Sequence, residues 1–158
     1  MISLVARRAL LLIAGMAGPV TSASAQPADG PVKIMDSYAA ALAANDVEAL
    51  VGLYTPNGVF IRDEMTPVVG REALRAAYKQ VFATLKVNLA FTIHEVEVVG
   101  DIAWLRGTSA GKVKVLATGK EYNDAYNQVV VFRREAGAWK IRSYIYASSK
   151  SDSAQPPR

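Results

Sequence analysis

The chain has no cysteine in its 158 residues. That absence excludes a disulfide framework, a thiolate zinc site and a cysteine nucleophile together. The only histidine, His94, cannot build a multi-histidine metal site, and no His/Asp/Glu run has ligand spacing, so no metal is expected. No glycine-rich dinucleotide loop is present, and no cofactor is expected. No apolar run has the length of a membrane span: the stretch at residues 9–20 is short and is broken by Gly15, Gly18 and Pro19. Charge is nearly balanced. Lys and Arg number 18 against 14 Asp and Glu, a net +4 that falls to +2 without Arg7 and Arg8. So small a surplus gives no sequence-level claim on nucleic acid.

Arg7 and Arg8 stand before that apolar stretch, and small residues follow it up to Ala23-Ser24-Ala25. A basic start, a short apolar run and an A-x-A site are the marks of a secretory signal peptide. The expected layout is a signal peptide at residues 1–25 cleaved after Ala25, one domain at residues 32–148, and a disordered polar tail at residues 149–158. The expected location is periplasmic or secreted, with no stable membrane insertion after cleavage.

About half of the residues are hydrophobic, enough for a real core. From Val32 the apolar positions Ile34, Met35, Tyr38, Ala41 and Leu42 recur at helical spacing. Asn45 is a stop and Asp46 an N-cap for a short second helix whose apolar face carries Val47, Leu50, Val51 and Tyr54. Residues 55–58, Thr-Pro-Asn-Gly, predict a turn. Val59, Phe60 and Ile61 predict a short strand. Gly70 opens a third helix, with Leu74, Tyr78, Val81, Phe82 and Leu85 as its sheet-facing stripe.

Beyond Lys86 the period becomes two. The pattern predicts strands over residues 88–99, 102–115, 121–134 and 138–148, joined by tight turns. Such a meander requires an antiparallel sheet. Alternation puts His94, Val96 and Val98 on one face and Glu95 and Glu97 on the other. It aligns Gln128 with Tyr126, Val130 and Phe132, facing inward. On the last strand it sends Trp139 and Ile141 inward, and Arg142, Tyr144 and Tyr146 outward. Tyrosine and arginine are favoured in interfaces, so that outer face predicts a homodimer. Three helices followed by long strands make an α+β chain, a curved antiparallel sheet packed against three N-terminal helices.

Four blocks carry a resemblance: YAAALAANDVEALVGLYTPNGVF, VVGREALRAAY, VEVVGDIAWLRG and VVFRREAGAWKI. In this order they resemble the nuclear transport factor 2-like superfamily, and within it the SnoaL-like group of small bacterial domains. The resemblance covers about residues 32–148 and implies a cone-shaped fold with a mouth. It implies no single function, because isomerases, cyclases, hydratases and non-catalytic domains share the fold.

Ketosteroid isomerase, a distant member, implies residue roles. Its chemistry, one of the standard examples of pKa tuning, needs a carboxylate base and two donors at an enolate oxygen. Its first-helix tyrosine falls on Tyr38, with matching spacing to Asp46 and Tyr54, and its donor aspartate falls on Gln128. Arg62 takes the slot of the base, and Asp63 is its neighbour. The catalytic candidates are therefore Asp63 and Tyr38. The candidate ligand-binding residues are Tyr38, Tyr54, Phe60, Tyr78, His94, Tyr126 and Gln128. Three readings follow. The first is an exported protein binding a small, mostly apolar molecule in the cone. The second is a cofactor-free isomerase, cyclase or hydratase using the same pocket. The third is a dimeric interaction module with a filled cone.

Overall fold

The structure, a computed structural model, describes residues 28–149. The segment expected to be a signal peptide and nearly all of the polar tail lie outside the described residues. Helix α1 spans Asp29–Ala44 and ends on Asn45, whose left-handed φ of 55° closes the helix. Helix α2, Val47–Gly52, begins at Asp46, whose side chain accepts the Ala49 N–H. Helix α3 spans Arg71–Thr84 behind Gly70, which holds a φ of 86°.

The strands are β1 (Tyr54–Ile61), β2 (Val68–Val69), β3 (Leu85–Val99), β4 (Ile102–Val115), β5 (Glu121–Glu135) and β6 (Ala138–Ser148). They form one sheet in the order β2-β1-β6-β5-β4-β3. All pairings are antiparallel except β1 with β6. The α+β layout expected from the sequence, three helices on a curved and mostly antiparallel sheet, is the one observed. The helices cover the inner face, where Met35, Leu50, Leu74, Leu105, Phe132 and Ile141 are buried. Removing such side chains from water is the main favourable term of the fold.

Three irregularities decide which side chains reach the inside. On β1, four residues lie between Tyr54 and Val59, whereas on β6 only Arg142 lies between their partners Ile141 and Ser143. The turn expected at residues 55–58 is thus a wide bulge inside one strand, and Tyr54 starts that strand instead of ending α2. On β3, Ile93 pairs with Gly107 and Glu95 with Arg106, which leaves His94 as an extra residue. On β6, Ile141 pairs with Phe132 and Ser143 with Val131, which leaves Arg142 extra.

The bulges on β3 and β6 each reverse an expected face. Past Arg142 the alternation restarts out of phase, so Tyr144 points inward and is buried, and Tyr146 follows it. The two tyrosines expected on the outer face are therefore inner residues, and the dimer argument drawn from them loses its basis. His94 is on the outer face, exposed, with Nε2 at 3.1 Å from the Thr108 hydroxyl. Its expected place in the cone is corrected by the bulge.

Gly107 on β4 lies close against β3. A Cβ added there would sit 2.6 Å from the Thr92 carbonyl oxygen, closer than any side chain tolerates. Glycine at this position lets the backbones close up.

Candidate functional site

The inward turn of β6 and the curl of β3 enclose a cavity of about 300 Å³ between the helices and the sheet. Its wall is mainly aromatic and aliphatic. Tyr38 and Leu42 come from α1, Tyr78 and Val81 from α3, Val87, Leu89 and Phe91 from β3, and Tyr144 and Tyr146 from β6. Phe60 lies between them, its ring stacked on Tyr78 at 5.3 Å and tilted against Tyr144 at 5.6 Å. Tyr38 meets Tyr144 edge-on at 5.1 Å. Such offset and edge contacts fix ring positions, so the wall is a rigid aromatic surface.

Polar groups are few and ordered. The Tyr54 and Tyr78 hydroxyls are 2.9 Å apart, and those of Tyr78 and Tyr38 are 3.0 Å apart. Three phenols joined by two bonds have one hydroxyl hydrogen left over. Tyr54 is fully buried and does not border the cavity. A chain running from Tyr54 through Tyr78 to Tyr38 leaves the third hydrogen on Tyr38, and a Tyr78 that accepts from both neighbours leaves it on Tyr78; both residues border the cavity. The opposite direction leaves the Tyr54 hydrogen in the core without an acceptor, which costs about 1–3 kcal/mol. Burial raises all three phenols well above their usual 10.0, so they stay neutral donors.

Gln128 is buried behind this surface. Its Oε1 accepts the Tyr144 hydroxyl at 2.6 Å, and its Nε2 donates to the Thr108 carbonyl at 3.4 Å. It braces Tyr144 and does not border the cavity. Tyr126 does border it, half-buried, with its hydroxyl donating to Asp124 Oδ2. Burial first, and then the bond to Asp124, push the Tyr126 phenol far up.

Arg62 and Asp63 both border the cavity. Strand β1 ends at Ile61, so the two-residue alternation that would send neighbours to opposite faces no longer applies. Asp63 Oδ2 accepts the Ser148 N–H at 2.8 Å, tying the loop after β1 to the end of β6. Arg62 lies over the Phe60 ring, 6.0 Å from its centroid, and its Nε is buried without a hydrogen-bond partner. Tyr146, raised above 10.0 by burial, is also within reach of the Arg62 charge, which lowers it in part.

Of the residues singled out in the sequence, Tyr38, Phe60, Asp63, Tyr78 and Tyr126 thus border one cavity. Tyr54 and Gln128 stand behind the wall as partners of wall residues, and His94 is on the opposite face of the sheet. Sequence reasoning missed Tyr144 and Tyr146, because a bulge has no composition signal in β6. It also passed over Leu89 and Phe91 as ligand contacts, because unbroken alternation with Val96 and Val98 inward puts these positions on the Glu95 side, and only the extra residue at His94 brings them in. Among the described residues, no cluster of three His, Asp or Glu side chains could hold a metal ion.

Similar structures support the fold. A ketosteroid isomerase-like protein from Erwinia carotovora atroseptica has a TM-score of 0.74 at 26% identity, over 78% of this chain and 96% of that one. A conserved protein from Planctomyces limnophilus has a TM-score of 0.69 at 22% identity, over 75% and 94%. A nuclear transport factor 2-like protein with a cystatin-like fold from Novosphingobium aromaticivorans has a TM-score of 0.61 at 20% identity, over 80% and 84%. No curated protein matches the chain. Residues 35–143, well over half of the sequence, match the SnoaL-like domain. The chain belongs to the SnoaL-like domain family, with the nuclear transport factor 2-like fold.

Proposed function

We propose that this protein is exported and holds a small, mostly apolar molecule in the cavity. The observation that carries the reading is the aromatic wall around about 300 Å³ of space, a size at the lower end of small-molecule sites. Apolar wall left facing water gains about 25 cal/mol for each Å² that a ligand covers. The Tyr38 hydroxyl, at the end of its relay, would orient a ligand oxygen. A cone filled by its own side chains would leave no such space, so the inert-module reading has no support here. Native mass spectrometry of protein taken from its host's periplasm or medium tests the proposal. The expected species is a polypeptide starting at Gln26 with a small molecule bound. Bare polypeptide in every preparation would count against the ligand, and full-length chain confined to the cytosol would count against export.

One observation favours a second reading, a cofactor-free isomerase-type enzyme: Tyr38 and Asp63 border the same cavity. In that reading Tyr38 polarises a carbonyl and Asp63 moves the proton. The Asp63 carboxylate is already engaged by Ser148, which favours its use as a loop anchor. Turnover of a β,γ-unsaturated ketone that disappears in Asp63→Asn would decide for the enzyme.

Self-association through the outer sheet face remains part of the proposal on a different basis. Val129 and Ile145, paired across β5 and β6, are large apolar residues exposed on that face.

A further inference from the structure

The hydroxyls of the wall are largely engaged. Tyr78 bonds both of its neighbours, Tyr144 donates to Gln128 and Tyr126 donates to Asp124. Besides the one phenolic hydrogen left over, the donor without a partner is the Arg62 guanidinium: Arg62 borders the cavity, and its Nε is buried with no acceptor. A buried donor without a partner is costly, and a charged one more so. Arginine cannot relieve that cost by losing its proton. The positive charge of a guanidinium that borders an apolar cavity can be met by a ligand oxygen there, and a negative oxygen does so best, because charge-assisted bonds are about twice as strong as neutral ones.

Resting on the reading of the cavity as a ligand site, we infer that the ligand is an apolar, ring-sized molecule with an acidic oxygen group, a carboxylate or a similarly charged oxygen, which pairs with Arg62. The aromatic faces of Phe60 and Tyr146 flank this corner, and Phe60 stacks beneath the guanidinium. They would receive the ring, while Arg62 takes the head group. Asp63 also borders the cavity, and its charge opposes an anionic head; the Ser148 N–H on Oδ2 offsets that charge in part. Selectivity therefore comes from Arg62, against a background that Asp63 makes slightly unfavourable. The Tyr38 hydroxyl would bond a neutral carbonyl as readily as a charged one and does not supply this preference.

The test uses two probes of one shape in calorimetric titrations of the mature chain: naphthalene-2-carboxylate, which is charged at pH 7, and naphthalene-2-carboxamide, which is neutral. Wild type should prefer the carboxylate by about tenfold or more, the size of a hydrogen bond to a charged group. In Arg62→Gln the preference should fall to about one- to twofold, and in Asp63→Asn it should rise, since a like charge has been removed. Equal binding of both probes by wild type would overturn the inference while leaving the cavity a ligand site. A carboxylate preference that survives in folded Arg62→Gln would overturn it as well. Binding of neither probe would remove the ligand-site reading and this inference with it. The wild-type comparison needs no variant, so the outcome does not depend on whether Arg62→Gln folds.

Discussion

The Tyr144 hydroxyl donates to Gln128 Oε1 at 2.6 Å, joining the first inward residue past the β6 bulge to a buried amide on β5. The bond explains why a glutamine sits on an otherwise apolar inner face. Inward rotation of Tyr144 brings a phenol into the core, and the phenol needs an acceptor. Gln128→Ala removes that acceptor and leaves a gap behind the wall. It should cost about 1–3 kcal/mol in denaturant unfolding, with m unchanged. Tyr144→Phe should also cost stability, because it leaves the buried Gln128 Oε1 without its donor while Nε2 keeps its bond to the Thr108 carbonyl. Equal and negligible losses in both variants would mean the pair is not formed.

Tyr38, Tyr54, Tyr78 and Tyr144 are buried, and burial raises each phenol above its usual 10.0. The sign follows from proton linkage. Near pH 10 and above, the unfolded chain releases phenolic protons that the folded chain keeps, so stability falls as pH rises. Below that range these tyrosines bring no pH dependence. Spectrophotometric titration should therefore show a group of tyrosines that ionise only together with unfolding. Smooth ionisation of every tyrosine near pH 10, with the fold intact, would contradict the buried network.

Leu74 is fully buried on α3, whereas Phe82, one turn beyond Tyr78, is only partly covered. The two were expected from the sequence to share one sheet-facing stripe. Leu74→Ala should cost about 2–5 kcal/mol and Phe82→Ala about half of a full phenylalanine deletion, roughly 1.5–2.5 kcal/mol. The reverse order in thermal or urea unfolding would mean that α3 is rotated.

Ile145→Glu puts a charge on the outer face, away from the cavity. If that face joins two copies, sedimentation should show a dimer in wild type and a monomer in the variant, with the same unfolding midpoint for the isolated subunit. A wild-type monomer at tens of micromolar, where stable dimers persist, would end the proposal.

Much of the architecture was legible because local chemistry and tertiary packing agree. The positive-φ stop at Asn45, the Asp46 cap and the turns before β4 and β6 all come from residue types with one strong local preference. What could not be read is where pairing slips by one residue. His94 and Arg142 have no property that marks an extra residue; the slip is set by matching two strands across a bent sheet. The site suffered most from this, since one slip brought Tyr144 and Tyr146 in and the other took His94 out. Arg62 and Asp63 could be read as neighbours, but their shared access to the cavity depends on β1 ending at Ile61.

The central claim, that the cavity is a ligand site, is tested most directly by filling it. Val87 borders the cavity from β3, and Val87→Trp should occupy much of the space without touching the Arg62 corner. In calorimetric titration with naphthalene-2-carboxamide, wild type should bind one equivalent saturably. The tryptophan variant, shown to be folded by circular dichroism, should bind at least about tenfold more weakly, a loss of about 1.4 kcal/mol. Unchanged affinity in the filled variant would contradict the account, as would the absence of saturable binding by wild type.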